Sequence, residues 1–478
     1  MSRDPAVPSM LPGDPSWWFT DALKAEGGVA SSPSLSGEIT ADVAIVGGGF
    51  TGLWTALALR ERAPGLSVVL IEASLCGSGA SGKNGGKTHG YWGSLGGIEA
   101  SLGADAALAV ARAGTKAQDA IRRFATAPGR DVWWRESGNV RISTCPAQDA
   151  KVAAAVETAE RLGVSDTARA LSPAEVAAYC KSPVFRGGIY LPEGANVHPA
   201  RLARALRRAA IEAGVTIYEN TPLSGLDSGS PNRLRTPGGQ ILARDVVLAT
   251  NTGLASRREI KPYVSVFSSY ALMTEPVPEK LEEIGWTGEQ GLADMRMFVH
   301  YFRTTIDGRV LMGSGSGPIS YNGNAVDPIL TQDAASAARA ERGLRRLLPG
   351  LGNVGVARIW GGGLDVSSDR LPFFRTLPST RVHYGCGYSG HGVNPTYIGG
   401  QSLASLVLGE QDEWANLPFC RRELSALPPE PFRVVGGRFV RWGIIGCEEA
   451  DERRETPSVA MRAAAAIPKV FGLRIGTR

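Results

Sequence analysis

Three glycines in the stretch "DVAIVGGGFTG" are spaced for binding a nucleotide. Gly47, Gly49 and Gly52 follow the pattern G-x-G-x-x-G directly after a short apolar run. In this pattern the first glycine permits a tight turn, the second lets the backbone approach a pyrophosphate, and the third allows close helix packing. The helix N-terminus presents N–H groups to the phosphates. Glu72 ends a second apolar run twenty residues after Gly52, where a carboxylate accepts from ribose hydroxyls. The spacing therefore predicts a dinucleotide site.

A second glycine-rich stretch bears on which dinucleotide is bound. Residues 77–86 read "GSGASGKNGG", with five glycines in ten residues and no large apolar side chain. Such a stretch buries nothing of its own, so it is either a flexible loop or backbone that lies against a ligand. NAD enzymes of this type normally continue with a further strand and helix after the acid, whereas a flavin needs small residues around its phosphates and ring. We therefore predict FAD, with an NAD-dependent dehydrogenase and a non-catalytic nucleotide-binding protein as alternatives.

The sequence contains no second G-x-G-x-x-G that opens a helix. One dinucleotide is therefore expected, and the electron donor is expected to be a substrate rather than NADPH.

Hydrophobic periodicity predicts the elements that position these loops. "ADVAIVGGG" and "LSVVLIEAS" are typical of buried parallel strands, and the residues between them have helical spacing. The same pattern returns with a helix over 199–213, a β-branched strand, and the strand in "ILARDVVLATNTG". The stretches between mix helical and strand-like patterns and resemble an inserted domain. The predicted fold class is α/β and α+β, with a Rossmann-like FAD-binding domain and a second, mixed-sheet substrate domain.

We predict the following division of the chain. Residues 1–40 form an N-terminal extension, residues 41–95, 196–260 and 360–415 form a discontinuous FAD-binding domain, residues 96–195 and 261–359 form the substrate domain, and residues 416–478 form a basic C-terminal tail.

Composition narrows the functional classes. The six cysteines are widely separated and the five histidines lack the H-x-x-x-H spacing, so neither a disulfide framework nor a metal site is expected. No signal peptide is visible, and a cytoplasmic protein with reduced cysteines is predicted. The net charge of +5 and the lack of a basic stripe with aromatic residues argue against nucleic acid as a partner. For the basic tail, a solvated helix packed on its own protein is favoured over contact with an anionic membrane.

An ordered set of motifs is shared with a known family. "DVAIVGGGFTG", "IEASLCGSGASGKNGG", "NVHPARLARALRRAA", "DRLPFF" and "GYSGHGV" together resemble the D-amino-acid oxidase-like FAD oxidoreductases, from about residue 42 to 410. Within that family the resemblance to the gamma-glutamylputrescine oxidase-like amine oxidases is greater than that to sarcosine and glycine oxidases. The resemblance implies an enzyme that oxidises the C–N bond of an amine or amino acid by hydride transfer to flavin. Oxygen is the expected acceptor, with hydrogen peroxide as product, and the imine hydrolyses. A dehydrogenase that passes electrons to a quinone or carrier protein is the alternative.

The family pattern also implies the cofactor contacts. The pyrophosphate is assigned to Gly47, Gly49, Thr51 and Gly52, the adenosine ribose to Glu72, and adenine to Leu223. Phosphates and flavin are assigned to Ala80, Ser81, Lys83, Asn84, Gly85 and Gly86. The pyrimidine edge of the ring is assigned to Gly390, His391, Gly392 and Val393. Thr250, among the small residues that end a strand, completes the predicted cofactor set.

The pyrimidine-edge assignment has a physical reason. Reduced flavin carries negative charge near N1, and a helix that begins near Pro395 directs its positive end there. His391 adds to this effect if it is protonated, and a loop histidine without such a role is the alternative.

Two differences from the sarcosine oxidases bear on how the flavin and the substrate are expected to be held. No cysteine stands in "IWGGGLDV", so the flavin is expected to be non-covalent. Asn394 occupies the position of their carboxylate-pairing lysine, which disfavours an α-amino acid held as in those enzymes.

Few catalytic groups are required, because hydride transfer from a neutral amine depends mainly on placing a C–H bond over the flavin. The candidates for catalysis are Lys83, which could assist oxygen reduction, His391 and Tyr388. The candidates for substrate binding are Tyr301, Arg303, Trp360 and Asn394, with ordinary packing as the alternative for each.

Overall fold

The computed structural model describes residues 15–29 and 31–470. Its strands are β1 Gly37–Val46, β2 Val68–Ile71, β3 Lys87–Thr88, β4 Asn139–Ile142, β5 Arg169–Leu171, β6 Gly188–Leu191, β7 Ala195–Asn196, β8 Thr216–Tyr218, β9 Gly225–Asp227, β10 Asn232–Thr236, β11 Gly239–Leu248, β12 Val264–Thr274, β13 Gly291–Asp294, β14 His300–Thr304, β15 Val310–Ser314, β16 Val356–Ser367, β17 Phe373–Thr376 and β18 Val382–Cys386. Its α-helices are α1 Trp17–Ala25, α2 Phe50–Arg62, α3 Leu95–Leu102, α4 Ala104–Ala125, α5 Pro146–Arg161, α6 Pro173–Tyr179, α7 Pro199–Glu212, α8 Pro278–Glu283, α9 Ile329–Gln332, α10 Ala334–Leu347, α11 Pro395–Leu408, α12 Pro418–Arg421, α13 Phe432–Arg453 and α14 Val459–Val470.

The first sheet carries the nucleotide-binding turn. Its strand order is β17-β18-β11-β1-β2-β8, with β10 and β9 attached to β11, and β1 pairs in parallel with both β2 and β11. All of β2 is buried, as expected for a parallel strand covered on both faces. Helix α2 packs against α7 and α11, so the first turn of α2 is held by elements that are distant in sequence.

The second sheet is mixed and has the order β16-β12-β15-β14-β13-β4-β6-β5. Its pairs are antiparallel except for β13 with β4, and α10 packs on β12 and β15. The predicted fold class is confirmed, with a Rossmann-like parallel sheet and a separate mixed sheet.

Strand β16 lies across one of the predicted domain boundaries. It pairs along its length with β12, from Val356 opposite Thr274 to Ser367 opposite Val264. The predicted division at residue 360 therefore falls inside a strand of the second sheet, and the last segment of the first sheet starts at β17.

Both predicted extensions contain helices that pack on the rest of the protein. Helix α1 packs against α7, and the Trp18 ring meets the His198 ring edge-on at 4.6 Å. Helices α13 and α14 pack against each other, and Glu452 on α13 forms ion pairs with Arg296 and Arg346. Within residues 15–29 and 31–470, no helix combines the length and apolar character that a membrane span requires.

Candidate active site

The turn between β1 and α2 admits only glycine at two of its positions. Gly47 has φ of +112°, and a Cβ there would lie 2.5 Å from the Ala249 carbonyl oxygen. A Cβ on Gly52 would lie 2.0 Å from the Gly47 carbonyl oxygen. Gly49 precedes the first turn of α2 and has no side chain to cap the helix, although the Phe50 N–H donates to Ser81 Oγ. This turn is a bare backbone cradle of the kind that a pyrophosphate occupies.

Glu72 follows β2 and lies beside the same turn. Its Oε2 accepts from the Gly48 N–H at 2.7 Å and its Oε1 from the Ser74 N–H at 3.0 Å. Burial raises the pKa of this carboxyl, and the backbone donors oppose the shift. A carboxylate oxygen can accept two hydrogen bonds, so each oxygen of Glu72 retains the capacity to accept one from a ribose hydroxyl.

A cavity of about 1730 Å³ extends from this turn to the second sheet. Most of the predicted site residues line it: Gly47, Gly49, Thr51, Glu72, Ala80, Ser81, Lys83, Asn84, Gly85, Leu223, Thr250, Tyr301, Tyr388, Gly390, His391, Gly392 and Val393. The structure thus brings the two glycine-rich loops, the adenine position and the late "GYSGHGV" turn to one space. Gly52 and Gly86 lie behind the lining and allow close backbone contacts, since a Cβ on Gly86 would lie 2.1 Å from the Val197 carbonyl oxygen.

Three predicted substrate residues lie outside the cavity lining. The buried Arg303 guanidinium donates to the carbonyls of Gly86 and Val197 at 3.1 and 2.7 Å, and burial lowers its pKa to about 9. Trp360 Nε1 donates to the Lys83 carbonyl at 2.8 Å. Asn394 Nδ2 donates to the Gly114 carbonyl at 2.9 Å and to a helix α4 side chain. In this structure the three side chains support the loops that line the cavity and are not part of its lining.

A hydrogen bond between Thr51 and Tyr388 joins the nucleotide turn to the "GYSGHGV" turn. The two hydroxyls are 2.7 Å apart and both side chains are buried. Burial raises the pKa of Tyr388 far above its usual range. The phenol therefore stays protonated and acts here as a link between the first turn of α2 and the residues before α11. As the sequence predicts, α11 begins at Pro395.

Two histidines stack inside the cavity. The His391 and His89 rings are 4.4 Å apart between centroids, and the Tyr91 ring meets His391 edge-on at 4.8 Å. His391 Nε2 lies 2.8 Å from the His89 carbonyl, which can only accept, so this nitrogen carries a hydrogen. His89 Nδ1 donates to the Gly90 carbonyl at 3.0 Å, which leaves Nε2 of the neutral ring as an acceptor. Burial lowers the pKa of His89 well below its usual value, so this ring is neutral at physiological pH.

Sequence reasoning missed His89, Tyr91 and Asp365. The signal for the first two was their position directly after the glycine loop, in "GGKTHGY". Asp365 lines the cavity from β16, accepts from the Gly387 N–H at 2.5 Å, and has a pKa raised to about 7 by burial. Lys83 also lines the cavity, beside β16, and burial lowers the pKa of its ammonium.

Together, the parallel sheet, the glycine cradle and the cavity that reaches a second sheet are features of a dinucleotide-dependent oxidoreductase. The family model "FAD dependent oxidoreductase" matches residues 42–406, and the chain belongs to this family. The choice that the sequence left open between NAD and FAD is thereby settled in favour of FAD. The cradle, the adjoining glycine loop and Glu72 fit this cofactor.

Comparison with known proteins places the chain among relatives of amine and amino-acid oxidases. It is 30% identical to gamma-glutamylputrescine oxidoreductase of Escherichia coli (strain K12) over 85% of this chain and 93% of that protein. Among solved structures it is similar to glycine oxidase from Geobacillus kaustophilus, with a TM-score of 0.65, 21% identity, and coverage of 81% of this chain and all of that one. It is also similar to L-amino acid deaminase from Proteus myxofaciens, with a TM-score of 0.65, 18% identity, and coverage of 82% and 95%. The last two comparisons concern the fold alone.

Proposed function

We propose that the chain is an oxidase of an amine or amino acid that uses oxygen as its acceptor. One observation carries this proposal: a single cavity joins the dinucleotide cradle at Gly47 to the second sheet at Tyr301. A substrate that enters from the second sheet would therefore meet the cofactor in a space enclosed by protein. The likeness to gamma-glutamylputrescine oxidoreductase supports a C–N bond as the point of attack.

The cofactor is proposed to lie along the residues that line the first part of the cavity. Gly47, Gly49 and Thr51 would hold the pyrophosphate, Glu72 the ribose and Leu223 the adenine. When bound, FAD supplies a hydride acceptor for the carbon of the C–N bond and then an electron donor for oxygen, so that an imine and hydrogen peroxide form. We propose non-covalent binding, because no cysteine lines the cavity in residues 15–29 and 31–470.

Two of the chain's own groups are proposed to hold the substrate amine in place. His89 Nε2 is an acceptor on a neutral ring, so it is suited to accept a hydrogen bond from the N–H of a neutral amine. Tyr301 forms a wall of the cavity, and its hydroxyl lies 3.2 Å from Ser269 Oγ. An aromatic wall of this kind packs against the stem of an amine.

Two further groups are proposed to stabilise negative charge, one on the reduced flavin and one on oxygen. The N-terminus of α11 lies at the turn assigned to the pyrimidine edge of the ring, where it would stabilise the anionic reduced form. The His391 Nε2–H donates to the His89 carbonyl and would hold this turn in place. Lys83, partly desolvated beside β16, would stabilise the charge that develops on oxygen.

Aerobic turnover tests the choice of acceptor. The purified protein is mixed with a series of amines and amino acids, including gamma-glutamyl amines, and peroxide is measured by a peroxidase-coupled assay. The proposal predicts about one peroxide per substrate oxidised. Oxidation that proceeds only with an added quinone or dye would overturn the oxygen step and establish the dehydrogenase alternative. A protein that oxidises none of these compounds with any acceptor would overturn the proposed function.

A further inference from the structure

Helix α13 exposes an apolar face beside the cavity. Phe432, Val435, Phe439 and Trp442 are 72, 64, 47 and 43% exposed, although such side chains are usually buried. Their spacing of three and four residues places them on one side of the helix. The rings of Phe439 and Trp442 stack at 5.5 Å.

The apolar surface continues onto a neighbouring segment. Tyr321 and Val326 are 53 and 86% exposed, and the Asn322 N–H donates to Glu430 Oε1 at 3.0 Å, which fixes this segment to the start of α13. Residues of both segments line the cavity, among them Phe432 and Val326. The exposed face therefore borders the cavity.

Basic side chains are exposed on this side of the protein, and two acids of α13 are turned away from it. Glu448 and Glu452 of α13 turn toward the second sheet, where Glu448 accepts from the Met297 N–H and Glu452 pairs with Arg296. Arg438, in contrast, is exposed among the apolar residues.

Helix α14 adds to this positive charge. Its Arg462 and Lys469 are exposed. The sequence contains no Asp or Glu after Glu455. The α13–α14 pair thus presents aromatic, aliphatic and basic side chains, while Glu448 and Glu452 of α13 face inward and Glu449 and Asp451 are partly exposed.

Charge and composition decide between the possible occupants of this face. In a symmetric dimer the face would meet its own copy, so basic side chains would oppose basic side chains. An anionic lipid surface suits both the aromatic and the basic side chains of this face, because aromatic rings insert among headgroups and arginine or lysine pairs with lipid phosphates. We propose that the face formed by Phe432, Val435, Arg438, Phe439 and Trp442 docks the protein onto an anionic membrane surface.

This proposal differs from the sequence-based expectation of a helix that is solvated on its outer side. Helix α13 does pack on its own protein, but its outer side carries exposed aromatic rings beside Arg438, whereas a solvated helix carries mainly polar and charged residues. Docking there would place the border of the cavity against the lipid.

Flotation with lipid vesicles tests the proposal on the full-length, flavin-loaded protein. The vesicles contain either phosphatidylcholine alone or equal parts of phosphatidylcholine and phosphatidylglycerol. The wild type is expected to float with the mixed vesicles at low salt and to remain unbound with phosphatidylcholine alone. The double variant Phe439→Glu/Trp442→Glu is expected to bind about tenfold more weakly.

A matched control and an oligomer measurement complete the design. Ile306 is 55% exposed in the turn between β14 and β15, and Ile211 is 42% exposed on α7. The control variant Ile211→Glu/Ile306→Glu therefore adds the same two charges at exposed apolar sites elsewhere and is expected to bind like the wild type. Unchanged thermal unfolding and flavin spectra show that each variant is folded. Absence of wild-type binding, or equal binding by the double variant, would overturn the proposal. A dimer in sedimentation that the double variant abolishes would assign the face to a second copy instead.

Discussion

Replacing Gly52 by alanine should weaken FAD binding through a backbone contact that the turn cannot relieve. The new Cβ would lie 2.0 Å from the Gly47 carbonyl oxygen and 3.2 Å from the Gly47 carbonyl carbon. Neither atom belongs to a flexible side chain, so α2 must move away from β1 or the turn must change shape. Gly47 has little freedom to move, since its N–H donates to the Ile71 carbonyl at 2.8 Å.

The expected size of the effect follows from the cost of overpacking. Inserting a methyl group into a tightly packed site costs about 1–3 kcal/mol, and a distorted cradle loses a comparable share of the cofactor's binding energy. We therefore expect the Kd for FAD to rise about 10- to 100-fold and the protein to be about 1–3 kcal/mol less stable.

Apoprotein titrated with FAD, followed by the quenching of flavin fluorescence, measures the first quantity, and urea unfolding measures the second. The control is Gly65→Ala, because a Cβ at Gly65 meets nothing within 4 Å and should leave both quantities unchanged. If the Gly52→Ala variant binds FAD within about twofold of the wild type at equal stability, the assignment of this turn as the pyrophosphate cradle is wrong.

Three further predictions concern single side chains. Thr51→Val leaves the buried Tyr388 hydroxyl without its 2.7 Å partner and should lower the free energy of unfolding in urea by about 1–3 kcal/mol. Adding Tyr388→Phe should recover part of this loss, and full additivity of the two changes would contradict the link. Burial raises the pKa of Glu448 to about 7, so the stability that its protonated form gives the folded protein is lost as the pH rises through that value. Glu448→Gln should therefore match the wild type in thermal unfolding at pH 5 and be more stable at pH 8 by on the order of 1–3 kcal/mol. The reverse order of stability would refute the assignment. Lys83→Met should slow the reoxidation of reduced flavin by oxygen about tenfold in stopped-flow measurements and leave the anaerobic reduction of the flavin by substrate nearly unchanged. Equal losses of rate in both steps would assign Lys83 to substrate or phosphate binding.

The parts of the fold that depend on local sequence could be predicted. The turn after β1 needs glycine at Gly47 and Gly52 for reasons contained in a few residues, and the helix over 199–213 is found as Pro199–Glu212. The start of α11 at Pro395 was also predictable, because proline is favoured in the first turn of a helix.

Features that depend on contacts between residues distant in the sequence could not be predicted. The stretch "IWGGGLDV" reads locally as a glycine-rich loop, but its pairing with β12 makes it a strand. Arg303 and Asn394 have suitable chemistry for a substrate, yet neighbouring carbonyl groups that only the fold brings near them satisfy their donors. His89 carried no motif, and its role depends on stacking with His391, some three hundred residues away in the sequence. Residue type therefore predicted the glycine turn after β1 but not which polar side chains reach the cavity.

Anaerobic titration of the purified protein with amines and amino acids tests the central claim most directly. The protein should be yellow as isolated or after addition of FAD, and at least one amine or amino acid should bleach the visible flavin band with the release of the matching carbonyl product. A protein that binds no flavin, or whose bound flavin is bleached by NADPH but by no compound with a C–N bond to oxidise, would contradict the account.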